Sequence, residues 1–335
     1  MKIFLLFTVI ICLAIFLVPN IVYLIVKGIC LVFHFRCTWR PFMLTALGLV
    51  VLWLVLSVYG YCWGRFRHEQ KHIELTITGL PDGFRGYNIV HISDLHLDGY
   101  IGHEQEMRAI VDEINSLDAD VIFFTGDLVS LSERELDTFV PILRSLKARD
   151  GVYSILGNHD YMPYTRGWNN KQREEHLQKL VRMEKEDLGW HLLMNEHAFL
   201  HRGSDSLAVI GCENQSLGIH NVVVRGDLKK AMAGTDGMCR ILLTHDPTHW
   251  RGEVLGKTDI PLTLSGHTHG GQVNFFGLFY FSTFIYKEHA GLYTANGQNL
   301  YVNIGLGATM PMRIGATPEI TRITLHLTQN SKFAI

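Results

Sequence analysis

The sequence of 335 residues is 47% hydrophobic and 19% charged, and its formal net charge is −2. This composition excludes an intrinsically disordered chain and a nucleic-acid binder that works through bulk positive charge. The charge is unevenly distributed, because the first 63 residues contain four basic and no acidic residues, whereas the rest contain 26 basic and 32 acidic ones. An apolar, basic segment therefore precedes a mildly acidic globular domain.

Two uncharged apolar runs in the first segment predict transmembrane helices at about residues 3–26 and 43–62. Each run is long enough to cross a bilayer, which takes about 20 apolar residues, and neither has the polar face of a soluble helical hairpin. A cleaved signal peptide is the alternative for the first run, but no small-residue cleavage motif follows it and a second apolar run does. We therefore expect a membrane anchor over residues 1–66 and a soluble domain over residues 67–335.

Basic residues flank both runs and bear on the orientation of the anchor. Three lie in the loop between the runs, and four lie outside them, at positions 2, 65, 67 and 71. This small excess favours a cytoplasmic domain without deciding the side of the membrane. We expect a multi-pass protein of the inner or plasma membrane.

From about residue 72 the pattern changes to alternating strands and helices. Buried strands are predicted where short runs are rich in β-branched and aromatic residues and are bounded by turn residues. These runs are Tyr87–Ser93, Val121–Thr125, Val152–Ile155, Leu207–Gly211, Arg240–Thr244 and Pro261–Ser265, with further strands between residues 300 and 327. Apolar residues spaced three and four apart predict helices over 110–117 and Lys171–Asp187. Alternation of this kind is typical of an α/β domain.

Five short motifs at the ends of predicted strands contain carboxylate, amide or imidazole side chains. They are Asp94–His96, Gly126–Asp127, Gly157–Asp160, Thr244–Asp246 and Gly266–His269. Most of them, taken singly, could be a turn, a helix cap or a buried histidine, but the two imidazoles of the last motif are spaced to bind a metal. All five in one domain indicate a metal centre. Oxygen and imidazole ligands suit Mn, Fe or Zn, and their number suits two ions that share a carboxylate.

The ordered set of motifs resembles the calcineurin-like metallophosphoesterase superfamily over nearly all of residues 72–330. Three further segments resemble its membrane-associated bacterial branch, namely LPDGFRGYNIVHISDLH, GHTHGGQV and GLGATMPMRIGATPEI. Members of that branch are phosphodiesterases or pyrophosphatases, and some act on UDP-diacylglucosamine in lipid A synthesis. The resemblance implies a four-layer αββα fold, in which two mixed sheets are sandwiched between helices.

The same resemblance implies a role for each motif residue. The first ion would be held by Asp94, His96 and His269, the second by Asn158, His245 and His267, and both by Asp127 as a bridge. His159 would lie beside the phosphate, where it would stabilise developing charge or protonate the leaving oxygen. Two divalent ions would lower the pKa of a bridging water, and the resulting hydroxide would attack the phosphorus in line.

Three other features bear on the substrate. The segment Phe275–Tyr286 has nine apolar or aromatic residues in twelve, which suits either buried strands or a lip at the headgroup level of a bilayer. Arg313 is either a solvated surface residue or a contact for a second phosphate group. The charged helix predicted at Lys171–Asp187 has either a solvated face alone or an added role as a cap over the site.

These observations predict a membrane-anchored, two-metal phosphohydrolase that acts as a phosphodiesterase or pyrophosphatase on a lipid-linked or nucleotide-linked phosphoester. A phosphomonoesterase with the same metal centre and a non-catalytic scaffold or sensor that binds metal and phosphate remain alternatives. The expected partners are the phosphoester substrate and the lipid bilayer. The acidic domain has no basic aromatic groove, so no nucleic-acid partner is expected.

Overall fold

The computed structural model describes residues 2–217, 223–275, 277 and 279–328. Within these ranges the helices are α1 (Lys2–Val32), α2 (Arg40–Tyr59), α3 (Glu104–Ser116), α4 (Val140–Leu143), α5 (Asn170–Arg182) and α6 (Leu228–Met232). The strands are β1 (Glu69–Ile77), β2 (Asn88–Ile92), β3 (Val121–Phe124), β4 (Val152–Ser154), β5 (His191–Leu192), β6 (Glu196–Arg202), β7 (Asp205–Gly211), β8 (Arg240–Leu243), β9 (Leu262–Ser265), β10 (Asn274–Phe275), β11 (Phe279–Tyr280), β12 (Gly291–Ala295), β13 (Gln298–Val302) and β14 (Glu319–Leu327).

Two six-stranded mixed sheets make up the centre of the domain. The first has the strand order β1-β14-β2-β3-β4-β5 and the second the order β12-β13-β9-β8-β7-β6. Strands β2 to β5 run parallel to one another, as do β7, β8, β9 and β13, while β6 and β12 are antiparallel edges. Parallel strands direct their carboxyl ends to one edge of a sheet, so the loops that follow them gather there.

The side chains of the central strands alternate between two apolar layers, as the pleat requires. In β3, Val121 and Phe123 enter a core that the two sheets share, which also contains Ile241 of β8. Ile122 of the same strand lies on the opposite face, in a core formed with α3 that includes Ile110. A third core packs α6 against the outer face of the second sheet. The four-layer arrangement and all six strands predicted by position are thus confirmed.

Helices α1 and α2 form an antiparallel pair, as the ring contacts at its two ends show. Phe4 stacks on Tyr61 with ring centroids 5.3 Å apart, and Tyr23 meets Phe42 at 5.5 Å. Both helices are long and apolar enough to cross a membrane, and most of their large apolar side chains are exposed. A π-helical turn, Gly60–Gly64, continues α2. We call residues 2–64 the apolar hairpin.

The apolar hairpin packs against two loops of the domain. Trp53 of α2 shares a buried cluster with Val273, which precedes β10, and with Met312 and Ile314, which lie between β13 and β14. Side chains from the first turns of α1, including Phe7, cover the same cluster. These two loops also border the carboxyl edge of the sheets, so the hairpin lies close to the strand-end motifs.

Candidate metal centre

The strand-end motifs meet at the carboxyl edge of the two sheets. Each follows a parallel strand within a few residues: Asp94 and His96 follow β2, Asp127 follows β3, Asn158 and His159 follow β4, His245 follows β8, and His267 and His269 follow β9. Five short strands thus bring together all eight of the motif residues for which the sequence predicts a role. A rigid sheet edge can hold ligands in place while the loops beyond it stay open to a substrate.

Asp94, His96 and His269 form one buried group. The Nε2 atoms of the two imidazoles are 3.2 Å apart, and Oδ1 of Asp94 lies 3.4 Å from Nε2 of His269. The same carboxylate oxygen lies 3.9 Å from Nε2 of His96. These three ligand atoms converge closely enough to share one metal ion.

A second group lies beside the first and consists of His245, His267 and Asn158. Nε2 of His245 and Nδ1 of His267 are 3.2 Å apart. The amide nitrogen of Asn158 donates to the hydroxyl of Tyr164 at 3.1 Å, whereas its Oδ1 atom is buried without a hydrogen-bond partner in the described structure. The orphaned oxygen and the two imidazoles are donors of the type that a divalent ion accepts.

Asp127 lies between the two groups. Its Oδ2 atom is 3.5 Å from Nε2 of His96 and 3.1 Å from Nε2 of His245. Its Oδ1 atom accepts a hydrogen bond from the backbone N–H of His159 at 2.8 Å, which fixes the orientation of the carboxylate. One oxygen of Asp127 is therefore within reach of ligands from both groups.

Backbone carbonyl groups orient two of the imidazole rings. Nδ1 of His245 donates to the carbonyl of Thr125 at 2.7 Å, and Nδ1 of His159 donates to the carbonyl of Ser130 at 2.9 Å. Because a carbonyl oxygen can only accept, each Nδ1 carries a proton, and the other ring nitrogen, Nε2, faces the site. This arrangement is typical of metal-binding and acid–base histidines.

Burial and neighbouring charges shift the pKa values of the cluster. Burial lowers the pKa of His96 to about 3, so this imidazole is a neutral potential ligand. Burial raises the pKa of Asp94 to about 6, although His245 acts in the opposite direction. Burial also opposes the charged form of His245, but the carboxylates of Asp127 and Asp94 outweigh it and raise the pKa to about 10. A metal ion bound by His245 would take the place of that proton.

Left-handed backbone conformations are concentrated at the site. The ligand candidates that adopt them are Asp94 (φ 52°), His96 (φ 44°), Asp127 (φ 58°), His267 (φ 74°) and His269 (φ 51°). Each costs a residue with a Cβ atom about 1–2 kcal/mol, which the surrounding packing must offset. Gly266 permits the close approach, because a Cβ atom there would lie 1.9 Å from the hydroxyl of Ser93.

Divalent ions fit this donor set. Facing ring nitrogens at 3.2 Å repel each other unless a proton or a cation lies between them, and the cluster contains two such pairs. Two carboxylates and an unpartnered amide oxygen complete a mixed oxygen and nitrogen set. Such a set is of the kind that borderline divalent ions accept, and the identity of the ion as Mn, Fe or Zn stays a prediction.

A cavity of about 290 Å³ opens onto the cluster. Its walls include Asp127, Asn158, His159, Tyr164, His267, His269, Gln272, Phe281, Ile285, Tyr286 and Thr309. The hydroxyl of Tyr286 lies 2.9 Å from Nε2 of His267, and the ring of Tyr164 packs on that of His159 at 4.5 Å. The sequence motifs contain neither tyrosine. Tyr286 ends the aromatic segment Phe275–Tyr286, whereas no local signal indicates Tyr164. The cavity has room for a phosphoester group beside the cluster.

Asp160 is a further buried residue whose function the motif did not reveal. Its carboxylate accepts hydrogen bonds from the backbone N–H groups of Asp127 and Gly157, both at 2.8 Å, and of Val129 at 3.1 Å. It thereby ties the loop after β3 to the loop after β4. Its place in the Gly157–Asp160 motif is the signal that could have identified it.

Arg313 has neither of the two environments considered from the sequence. It is 1% exposed, and its guanidinium donates to backbone carbonyls that include those of Ile304 (2.7 Å) and Ala316 (3.2 Å). Its Nη2 atom lies 3.3 Å from Nδ1 of His269, on the side away from the cavity. The side chain is not solvated, and the structure does not bring it to the substrate cavity because its donors are engaged behind His269.

The other two substrate features are also resolved in position. Within the described part of the segment Phe275–Tyr286, β11 pairs with β10 in a separate two-stranded sheet, and the residues after β11 are partly exposed beside the cavity, with Phe281 49% and Phe284 74% exposed. The charged helix is present as α5 and has an apolar underside, with Leu177 and Leu180 buried. No residue of α5 lines the cavity over the metal ligands among those the structure describes.

A two-sheet α/β domain with this cluster at its strand ends is a metalloprotein of the hydrolytic class. The family model described as calcineurin-like phosphoesterase matches residues 87–271. An uncharacterized metallophosphoesterase of Bacillus subtilis (strain 168), YkuE, is 31% identical over 86% of this chain and 98% of that protein. The chain therefore belongs to the calcineurin-like phosphoesterase family, and it is a metal-dependent phosphoesterase.

Two further relatives bear on the apolar hairpin. Both are named transmembrane protein with metallophosphoesterase domain, and they come from Danio rerio and Bos taurus. They are 32% and 31% identical over 85% and 83% of this chain, which spans 63% and 61% of their own length. Together with the two candidate spans, these names suggest an association of the chain with membranes.

Proposed function

We propose that the chain is a membrane-anchored phosphohydrolase with two metal ions, which cleaves a phosphodiester or pyrophosphate bond in a lipid-linked or nucleotide-linked substrate. The observation that carries the proposal is the position of Asp127, whose Oδ2 atom lies 3.5 Å from His96 and 3.1 Å from His245. A carboxylate between two ligand groups is the arrangement that suits a pair of ions. Asp94, His96 and His269 would hold one ion, Asn158, His245 and His267 the other, and Asp127 both.

The ions, when bound, supply an activated water and offset the negative charge of the phosphoryl group. The chain's own residues orient the reaction. The Nδ1–H group of His159 donates to the carbonyl of Ser130, so Nε2 faces the cavity. From there Nε2 can donate a proton to the leaving oxygen. Tyr164 packs on the same ring and orients Asn158. No covalent enzyme intermediate is needed.

The proposed membrane anchor is the apolar hairpin, and the side chains beside the cavity suggest what the substrate is attached to. Phe281, Phe284 and Ile285 are 49%, 74% and 47% exposed. The backbone N–H of Phe281 donates to the carbonyl of Val273 at 3.0 Å, and Val273 packs against Trp53 of α2. The exposed apolar residues therefore adjoin the segment that would span the bilayer. A lip at the headgroup level suits a phosphoester carried by a lipid.

A substrate panel tests the proposal. The full chain is reconstituted in lipid nanodiscs with Mn, Fe or Zn and assayed on p-nitrophenyl phosphate, bis(p-nitrophenyl) phosphate and a nucleotide-linked lipid. We expect turnover of the diester and a higher kcat/KM on the lipid-linked compound. Activity on the monoester alone would replace the proposal with a phosphomonoesterase. Efficient cleavage of soluble diesters with none of the lipid-linked compound would contradict the lipid-linked substrate.

A further inference from the structure

Arg313 connects the apolar hairpin to the candidate metal centre. Its guanidinium lies against His269, with Nη1 3.4 Å from the carbonyl oxygen and Nη2 3.3 Å from Nδ1. Its other hydrogen bonds go to the carbonyl of Ala316 at 3.2 Å and to carbonyls of the segment 304–307, including Nη2 to Ile304 at 2.7 Å and Nε to Gly307 at 3.0 Å. The hydrogen-bond partners of this buried cation are therefore backbone carbonyl oxygens, one of which belongs to the candidate ligand His269, and the ring nitrogen Nδ1 of the same residue.

The segment 304–307 in turn supports Asp94. The backbone N–H of Leu306 donates to the carbonyl of Ser93 at 3.0 Å, and that of Gly307 donates to the carbonyl of Asp94 at 2.6 Å. A Cβ atom on Gly305 would lie 2.6 Å from the Cβ atom of Asp94, so the backbone at Gly305 lies directly against Asp94. Arg313 thus stands behind two ligands of the same group, His269 directly and Asp94 through this segment.

The backbone of Arg313 is held from the other side by the apolar hairpin. Its N–H donates to the carbonyl of Gly60 at 3.3 Å. A Cβ atom on Gly60 or Gly64 would lie 2.8 Å or 2.2 Å, respectively, from the carbonyl oxygen of Arg313. Only glycine permits this approach, because the opposing atom belongs to the backbone and cannot move aside as a side chain could.

A second contact converges on the same segment. Arg65, directly after the hairpin, donates to the carbonyl of Gly99 at 3.3 Å, and the ring of Phe66 packs on Tyr100 at 5.7 Å. The hydroxyl of Tyr100 donates to the carbonyl of Leu306 at 2.8 Å. The end of the hairpin therefore reaches the segment 304–307 from two directions.

We propose that the apolar hairpin sets the geometry of Asp94 and His269 through Arg313. Occupancy of the metal position that Asp94, His96 and His269 would form then depends on how the hairpin packs against the loop that contains Arg313. Arg313 is a positioning residue in this arrangement and does not contact the substrate. The inference rests on the proposed function in one respect, the assignment of Asp94 and His269 as ligands of one ion. It adds a means by which the membrane segment controls metal loading.

The test compares glycine substitutions in the hairpin of the full chain, in nanodiscs. Gly64→Ala forces a Cβ atom onto the carbonyl of Arg313, and Gly60→Ala does so less severely. Gly48→Ala is the matched control, since a Cβ atom at that α2 position meets nothing within 4 Å. Mn binding is measured by titration calorimetry and the number of ions per chain by elemental analysis, with melting temperature and circular dichroism recorded for each variant.

We expect Gly64→Ala to weaken the binding of one Mn ion by about tenfold or more, the range typical of residues that support a ligand, while the second ion binds as in the wild type. Gly60→Ala should lower the affinity for that ion by less, and Gly48→Ala should leave it unchanged. Arg313→Lys should weaken the binding of the same ion, because an ammonium group cannot reach His269 and the segment 304–307 together.

Wild-type binding of both ions by folded Gly64→Ala and Arg313→Lys chains would overturn the inference. If Gly64→Ala does not fold, Gly60→Ala is compared with Gly48→Ala instead. Equal Mn affinities of these two variants would also overturn the inference. Mn binding is measured without any substrate, so the outcome does not depend on whether the chain hydrolyses a phosphoester. A chain that loads two ions and hydrolyses no phosphoester would contradict the proposed function alone.

Discussion

Oδ2 of Asp127 lies 3.1 Å from Nε2 of His245, a ring whose other nitrogen donates to the carbonyl of Thr125. The carbonyl fixes the ring, so the nitrogen that faces Asp127 is the one that can exchange a proton for a metal ion. The pKa of His245 is raised to about 10, against the effect of burial, by Asp127 and Asp94. The position of Asp127 therefore favours a positive charge on this ring, whether a proton or a metal ion carries it.

Substitution of His159 should separate catalysis from metal binding. His159→Asn removes the nitrogen that faces the cavity, and we expect kcat for a phosphodiester to fall by about 100- to 10,000-fold, the contribution typical of an acid–base group. Metal content should remain that of the wild type. The control is His201→Asn, at an exposed position of β6. Loss of an ion in His159→Asn would mean that this residue acts as a ligand instead.

The exposed ring of Phe284 should matter for a substrate held in a bilayer and not for a soluble one. This side chain is 74% exposed and lies outside the cavity wall. We expect Phe284→Ser to lower kcat/KM for a lipid-linked substrate in vesicles by roughly tenfold, because transfer of a Phe side chain to an apolar phase is worth about 1.5–3 kcal/mol. Phe199→Ser, at an exposed site on β6, should have no effect.

Turnover of soluble bis(p-nitrophenyl) phosphate should be unchanged in both phenylalanine variants. An equal fall on soluble and lipid-linked substrates in Phe284→Ser would indicate a distorted cavity and would count against a membrane-facing lip.

A buried acid outside the metal centre should make stability depend on pH. Burial raises the pKa of Glu184 well above its usual range, with a smaller contribution from Asp160, while Ser154 donates to the carboxyl at 2.8 Å. The folded chain keeps this proton at a pH where the unfolded chain releases it. The contribution of Glu184 to the free energy of unfolding is fully present below the pKa that this residue has in the unfolded chain. Above that pKa the contribution falls by about 1.4 kcal/mol per pH unit, until Glu184 ionises in the folded chain.

Glu184→Gln keeps an acceptor for Ser154 and cannot ionise. We expect its free energy of unfolding to exceed that of the wild type at alkaline pH, with a gap that narrows toward pH 4. Urea denaturation at a series of pH values measures this, and Glu186→Gln, at an exposed position two residues away, is the control. A gap that does not change with pH would contradict the assignment of a protonated Glu184.

The parts of the fold that sequence reasoning identified are those with a local signal. In strands such as β3 the signal is a run of consecutive apolar residues. In motifs such as Gly266–His269 the signal is the spacing of the imidazole side chains. The pairing of β1 with β14 joins residues 69–77 to 319–327 and depends on tertiary packing that no local pattern records. The sequence accordingly indicated strands near the chain end but not β1.

The candidate ligands were predictable for the same reason, and their supporting residues were not. Asp94 and Asp127 directly follow apolar strands, so their position at the sheet edge could be inferred. Arg313 would be expected at a surface because burial of a guanidinium is costly. Its burial became favourable only through backbone carbonyls, among them that of Ile304, which the fold assembles around it. Tyr164 likewise meets Asn158 through a loop without a motif.

In the proposed function, Asp127 serves two metal ions in one hydrolytic site. The most direct measurement is the number of Mn ions per full chain, together with the rate of bis(p-nitrophenyl) phosphate hydrolysis, for the wild type and for Asp127→Asn. The control is Asp112→Asn, an exposed carboxylate on α3.

We predict two ions for the wild type and the control, fewer than two for Asp127→Asn, and a fall in hydrolysis of about 10- to 100-fold in that variant. Two ions per chain and wild-type hydrolysis in Asp127→Asn would contradict the account.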